Sequence, residues 1–188
     1  FLRNQKDMII SSYKDDVAFG YSLSFEQWLE NKIKLNSLNY FFFYNIIKFY
    51  FKEFGKKNFL IFFYENTINE KYGINKFIEQ IGLNKKNISL PFTKIKENES
   101  QSDFTISISK FLNRLIKTKL NSLSGNGINK NLIFYNLWRY KISKLTNKIN
   151  FRLYDYSKSK LFTNYLKKIR KDNVKLSRLI NKKLPKNY

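Results

Sequence analysis

Asn58-Phe59-Leu60-Ile61-Phe62-Phe63-Tyr64 is an apolar run of strand length. A strand that is dry on one face alternates apolar and polar residues, and nothing alternates between Phe59 and Phe63. Unbroken runs of this kind are typical of strands covered on both faces, as in a parallel sheet, so the reading of this stretch carries the fold class. Upstream, Leu38 to Phe54 is the longest helical pattern, with polar positions Asn45, Lys48, Lys52 and Lys56 recurring every three or four residues. Its apolar arc is too wide for a helix lying on lipid, and packing between other elements is expected. Gly55 follows as a helix-ending residue. Helix, glycine turn and buried strand make half of a β-α-β unit.

A second strand end is expected at the head of the sequence. Phe1-Leu2-Arg3-Asn4-Gln5-Lys6-Asp7-Met8-Ile9-Ile10-Ser11-Ser12-Tyr13 opens without a methionine or a leader, as a piece cut from a longer chain would. Phe1 and Leu2 read as the last residues of a buried strand, and Arg3 stands where strand gives way to helix. Asn4 can cap that helix, Asp7 places a carboxylate in its first turn, and Met8, Ile9 and Ile10 supply its apolar side. Ser11 falls a little over two helical turns beyond Arg3. An arginine at a strand end can fork onto a phosphate, and a serine on the adjoining helix can donate to the same group.

The pattern Arg-Asn-x-x-Asp-x-x-x-Ser-x-Tyr, from Arg3 to Tyr13, resembles the 3′-phosphate-binding segment of sulfotransferases that use 3′-phosphoadenosine 5′-phosphosulfate (PAPS). The resemblance implies that Arg3 and Ser11 bind the 3′-phosphate of PAPS. Many family members carry proline two residues after the arginine; this chain has Gln5, as some bacterial relatives do. Tyr64-Glu65-Asn66 is similar to the family's Y-E-D/N sequence at a strand end, which implies that Tyr64 lies beside the adenine. The stretch Pro91 to Asn98 resembles the family's S-F-x-x-M-K-x-N loop and puts Phe92 against the adenine, where a phenyl ring can stack on a flat base.

Other stretches extend the likeness. Ser24 with Gln27 forms a capping box, and the helix that follows, with Phe25, Trp28, Leu29 and Ile33 on its apolar side, looks like the helix over the acceptor cleft. Trp28 either touches substrate there or fills the core. A short helix from Ile74 to Ile81, closed by Gly82, is similar to a structural helix of the family. Asp103 can cap a helix with Ile106, Ile108, Phe111, Leu112 and Leu115 on its apolar face. The family's Arg-Lys-Gly element at the 3′-phosphate is not found; Lys110 and Arg114 are the nearest substitutes and read as a solvated face. Ser122 to Gly127 is a loop, and Leu132 to Leu145 and Tyr156 to Arg170 are helical patterns. Asp172-Asn173 then recaps the chain. From there to Tyr188 the sequence is similar to the C-terminal piece of many bacterial sulfotransferases, with Asn173, Leu176, Leu179, Leu184 and Tyr188 at matching positions, and it is expected to pack against the body.

The resemblance implies one sulfotransferase-like domain over residues 1–188. Its expected fold is α/β, a parallel sheet flanked by helices of the P-loop-NTPase-like kind, helix-rich in the C-terminal half and incomplete at the N-terminus. The catalytic base and the 5′-phosphosulfate loop are expected upstream of Phe1, so these residues alone are expected to be inactive. The whole enzyme would move a sulfuryl group from PAPS to a hydroxyl or amine on a glycan or lipid-linked sugar, in the bacterial cytoplasm or peripherally at the inner face of the membrane.

Composition bounds these expectations. The chain has 188 residues with 19 Phe and 13 Tyr, enough for a sizeable core. Absence of Cys and His excludes disulfides, thiolate metal sites and imidazole chemistry from these residues, and no metal site is expected. No apolar run reaches the ~18 residues that span a membrane. The net charge of +22 attracts anions of every class. A basic nucleic-acid-binding module and a non-catalytic helical interaction protein are therefore the alternatives. Against the first, the aromatics sit in apolar runs rather than between lysines, and nucleic acid is not an expected partner of the sulfotransferase reading.

Overall fold

The computed structural model describes residues 1–65, 77–83, 101–115, 141, 144–146, 149, 154–186 and 188. Within them run α1 (Gln5–Ala18), α2 (Phe25–Lys34), α3 (Phe43–Phe54), α4 (Asp103–Leu115) and α5 (Lys160–Ile180). The chain divides into two compact units: Phe1–Met8 with Leu38–Glu97 and Leu166–Tyr188, and Ile9–Ser37 with Asn98–Tyr165.

The first unit is centred on Leu2, Phe43, Ile47, Phe63, Leu176 and Ile180, with Met8, Tyr44, Phe51, Leu179, Leu184 and Tyr188 packed around them. Asn4 caps α1 by accepting the Asp7 N–H at 3.2 Å. For α3 the cap comes from far away. Phe42 precedes it with no side-chain acceptor, and Asp172 Oδ2 accepts the Tyr44 N–H at 3.0 Å instead. Gly55 ends α3 at φ 79°, a conformation that costs glycine little. The expected packing of α3 between elements is corrected. Only Phe43 and Ile47 are buried, while Phe49 (58%) and Phe54 (57%) are exposed. Tyr50, Phe54 and Phe59 rest on one another, with centroids 5.5–6.2 Å apart, and shed water locally without a second layer.

The parallel sheet flanked by helices is also corrected. Among the described residues there is no strand; the run from Phe59 to Tyr64 makes a single parallel bridge, Phe63 beside Leu2. Leu2 N–H donates to Phe62 O at 2.8 Å, and Tyr64 N–H donates to Leu2 O at 2.7 Å. The physical reason lies in the partner. After Leu2 the chain turns at Arg3 into the cap of α1, so the ladder ends after one pair. Leu60 is 47% exposed, which a strand covered on both faces would not permit. The gapless apolar run signals neither full burial nor strand pairing: of Phe59 to Tyr64 only Phe63 is buried. These residues spend their apolar surface on rings and on one core contact.

The second unit is aromatic. Ser24 and Gln27 form the expected capping box, and Phe25, Trp28 and Leu29 are buried. Phe25 lies 4.8–5.9 Å by ring centroid from Tyr13, Trp28, Tyr156 and Phe162. Trp28 is fully buried and its Nε1 donates to Asp16 at 2.7 Å, which makes it core. Burial raises the Tyr13 and Tyr156 phenols far above their ordinary range, so both stay neutral donors.

Two further expectations in this unit are corrected. Ser102, rather than Asp103, caps α4, its Oγ accepting the Thr105 N–H at 3.2 Å. Asp103 is the first helical residue and pairs with Lys14 at 2.8 Å. The buried side of α4 is Thr105, Ile106, Ser109 and Asn113, whereas Phe111 is 62% exposed. Polar residues are inside because they have work there: Asn113 Nδ2 donates to Val17 O at 2.7 Å and Tyr21 O at 3.0 Å, satisfying carbonyls at and after the end of α1.

α5 starts at a Ser159 cap, whose Oγ accepts the Phe162 N–H at 3.2 Å, and it runs without interruption to Ile180. The recap expected at Asp172-Asn173 does not occur. Both side chains are buried inside a continuous helix because distant groups bond them: Asp172 takes Tyr44 N–H, and Asn173 exchanges hydrogen bonds with Gln5 at 2.7 and 3.2 Å. The last segment packs against the first unit as expected, through Leu176, Leu179, Leu184 and Tyr188. No described helix is long and apolar enough to cross a membrane. Of the segment from Ile74 to Ile81, residues 77–80 are helical and Gly82 follows at φ 80°. The loops at 91–98 and 122–127 lie outside the described residues.

Candidate anion-binding site

The Leu2–Phe63 bridge places the side chains beyond it. Leu2 and Phe63 both turn into the core, at 7% and 9% exposure. Beyond the bridge Arg3 leads into the cap of α1 and Tyr64 opens a helical turn, and the two side chains meet. The Arg3 guanidinium carbon stands 4.9 Å from the centroid of the Tyr64 ring. This is within cation–π distance. Arg3 is half-buried and Tyr64 is 36% exposed, so the pair is reachable from solvent.

The surroundings hold the backbone on both sides of this pair. Glu65 Oε1 accepts the Asn4 N–H at 2.6 Å, and Glu65 Oε2 lies 2.7 Å from the Tyr188 hydroxyl. That hydroxyl is also 2.8 Å from Leu2 O. Burial, then the hydrogen bond and charge of Glu65, push the Tyr188 phenol far above its ordinary range, against a smaller opposing effect of Arg3. It is a proton donor at any physiological pH. Among the described residues no carboxylate forms an ion pair with Arg3. A guanidinium resting on a ring keeps planar N–H donors in a fork that suits a phosphate or carboxylate.

Of the residues nominated from sequence, the structure brings Arg3 and Tyr64 together. Ser11 is half-buried on α1 and belongs to the other unit. Phe92 lies outside the described residues. Lys110 also belongs to the second unit, where burial and then Arg114 press its ammonium below the ordinary lysine range. Sequence reasoning missed Glu65 and Tyr188 as parts of this junction. Both lie in segments that carry the resemblance, but nothing local tells that residue 188 reaches residues 2 and 65.

Comparison of the chain with models of protein families, with curated proteins and with solved structures gives no match.

Proposed function

We propose that this chain binds the 3′-phosphoadenosine end of PAPS and belongs to an enzyme that transfers a sulfuryl group to a hydroxyl or amine on a glycan or other small acceptor. One observation carries the reading. Arg3 and Tyr64 are far apart in sequence, were nominated by two separate motifs for one cofactor, and stand side by side. In this reading Arg3 takes the 3′-phosphate and Tyr64 flanks the adenine. The reaction forms a bond from the acceptor oxygen or nitrogen to sulfur and breaks the bond from sulfur to the 5′-phosphate oxygen; 3′-phosphoadenosine 5′-phosphate (PAP) leaves and a base takes the acceptor proton. The reading makes no use of a sheet.

Calorimetric titration of the chain with PAP and with 5′-AMP tests it. PAP should bind more tightly, because only it carries the 3′-phosphate. Arg3→Ala should weaken PAP by the worth of a charged hydrogen bond, about 1.5–3 kcal/mol or roughly ten- to a hundredfold, and should leave 5′-AMP nearly unchanged. Equal affinities for the two nucleotides, or an Arg3→Ala chain that binds PAP as before, would defeat the assignment.

A second reading rests on a different observation. α5 exposes Lys167, Lys168, Arg170, Lys171, Lys175 and Arg178, and none of them pairs with a described acid. Such a face fits a nucleic-acid backbone. Titration with single-stranded RNA at several salt concentrations decides it. A steep fall of log K with log salt supports phosphate contacts by α5, and loss of that slope when Lys167, Lys168 and Lys171 become Ala places them there.

A further inference from the structure

We propose that Tyr188 and Glu65 act as a clasp that positions Arg3 for the 3′-phosphate, an inference that rests on the PAPS reading above. The clasp touches a chain neighbour on both sides of each member of the pair. Leu2 precedes Arg3, and its carbonyl lies 2.8 Å from the Tyr188 hydroxyl. Asn4 follows Arg3, and its N–H donates to Glu65 Oε1 at 2.6 Å. Glu65 itself follows Tyr64, and its other oxygen is 2.7 Å from Tyr188. Phe63 precedes Tyr64, and its ring meets the Tyr188 ring edge-on at 5.5 Å. Arg3 thus extends from backbone pinned at the residue before it and the residue after it.

An arginine loses several rotatable bonds' worth of freedom when it grips an anion. Fixing its backbone beforehand removes part of that ordering cost from the binding step. The aromatic ring of Tyr188 would fill the same core place as phenylalanine. The hydroxyl is the part that packing does not explain, and it is directed at the junction that carries the pair. The clasp joins three stretches of sequence, at residues 2–4, 63–65 and 188, at one point of the first unit. Glu65 and Tyr188 are positioning residues in this account, since neither touches the nucleotide.

Tyr188→Phe keeps the ring and removes the hydroxyl. Titrated with PAP and 5′-AMP, the variant should lose about three- to tenfold in PAP affinity, the worth of one hydrogen bond, with 5′-AMP altered less than twofold. An equal loss for both nucleotides marks a merely structural role and overturns the clasp, as does no loss for either. Amide hydrogen exchange gives a readout independent of any ligand. In Tyr188→Phe the Asn4 and Tyr64 amides should exchange about three- to tenfold faster, while amides of α2 keep their rates. If wild-type protein binds neither nucleotide, the PAPS reading falls, and the exchange rates decide the clasp by themselves: unchanged rates at Asn4 and Tyr64 overturn it.

Discussion

In the second unit Lys14 closes on Asp103 at 2.8 Å and Lys32 on Asp16 at 2.9 Å, both with largely covered side chains. In the first unit one ion pair is present among the described residues, Lys52 with Glu53 at 3.9 Å, on a lysine 83% exposed. The cations of α5 there form no ion pair with a described acid. The chains of polar contacts differ as well. The second unit buries an aromatic cluster around Phe25 and Trp28 and uses Asn113 to close the end of α1. The first buries aliphatic and phenyl groups and ties distant segments by polar side chains: Gln5 with Asn173, Asp172 with Tyr44, Tyr188 with Leu2 and Glu65. The contrast separates two uses of charge. The second unit uses covered ion pairs to hold its elements together, and the first leaves the cations of α5 and Arg3 without a described ion-pair partner.

The largest expected effect tests that separation. Trp28→Ala removes a fully buried ring and should cost about 3–5 kcal/mol of stability, seen as a lower urea midpoint. PAP affinity under folding conditions should change less than twofold; a parallel collapse of binding would mean that the division into a structural and a presenting unit is wrong. Asn113→Ala removes the side-chain donor to Tyr21 O and one of the two donors to Val17 O, and should cost about 1–3 kcal/mol by the same measurement.

Asp172→Ala removes the borrowed cap of α3 and should cost about 0.5–2 kcal/mol. The same residue gives the first unit a pH dependence. Burial raises the Asp172 carboxyl above its ordinary range, and the Tyr44 N–H and Lys175 only partly oppose this. A raised value means that the folded chain keeps the proton to higher pH than the unfolded one. The contribution of this group is therefore complete below an ordinary aspartate pKa of about 3.9 and declines as pH rises through the raised value. Asp172→Asn retains an acceptor for Tyr44 and does not titrate. Its urea midpoint should fall less than that of wild type between pH 4 and pH 7. The smallest effect belongs to Lys34→Ala, which breaks an exposed pair with Glu30 and should stay within about 0.5 kcal/mol.

Much of the helical framework was legible residue by residue. The Asn4 cap, the Ser24–Gln27 box and the Gly55 stop are local, made by groups within a few positions of each other. Burial of Phe25, Trp28 and Leu29 followed from helical spacing. The apolar face of α4 was misassigned, because Asn113, Ser109 and Thr105 are buried for the sake of partners in other segments and spacing alone credits only apolar residues. At the candidate site the resemblance points to Arg3 and Tyr64 and gives Tyr188 only a packing role. Their meeting is a matter of which segments lie side by side.

Sequence by itself determined the Asn4 cap of α1, the Ser24–Gln27 box of α2, the Gly55 stop of α3, the inward face of α2, and a surplus of cations with no histidine or cysteine chemistry. Those properties depend on neighbours along the chain and on composition. Tertiary structure alone decided that, among the described residues, the run from Phe59 to Tyr64 pairs once instead of joining a sheet, that Asp172 caps α3, and that Tyr188 closes on Leu2 and Glu65. Each of these joins residues far apart in sequence, and hydrogen-bond partners at that distance leave no period or spacing to read.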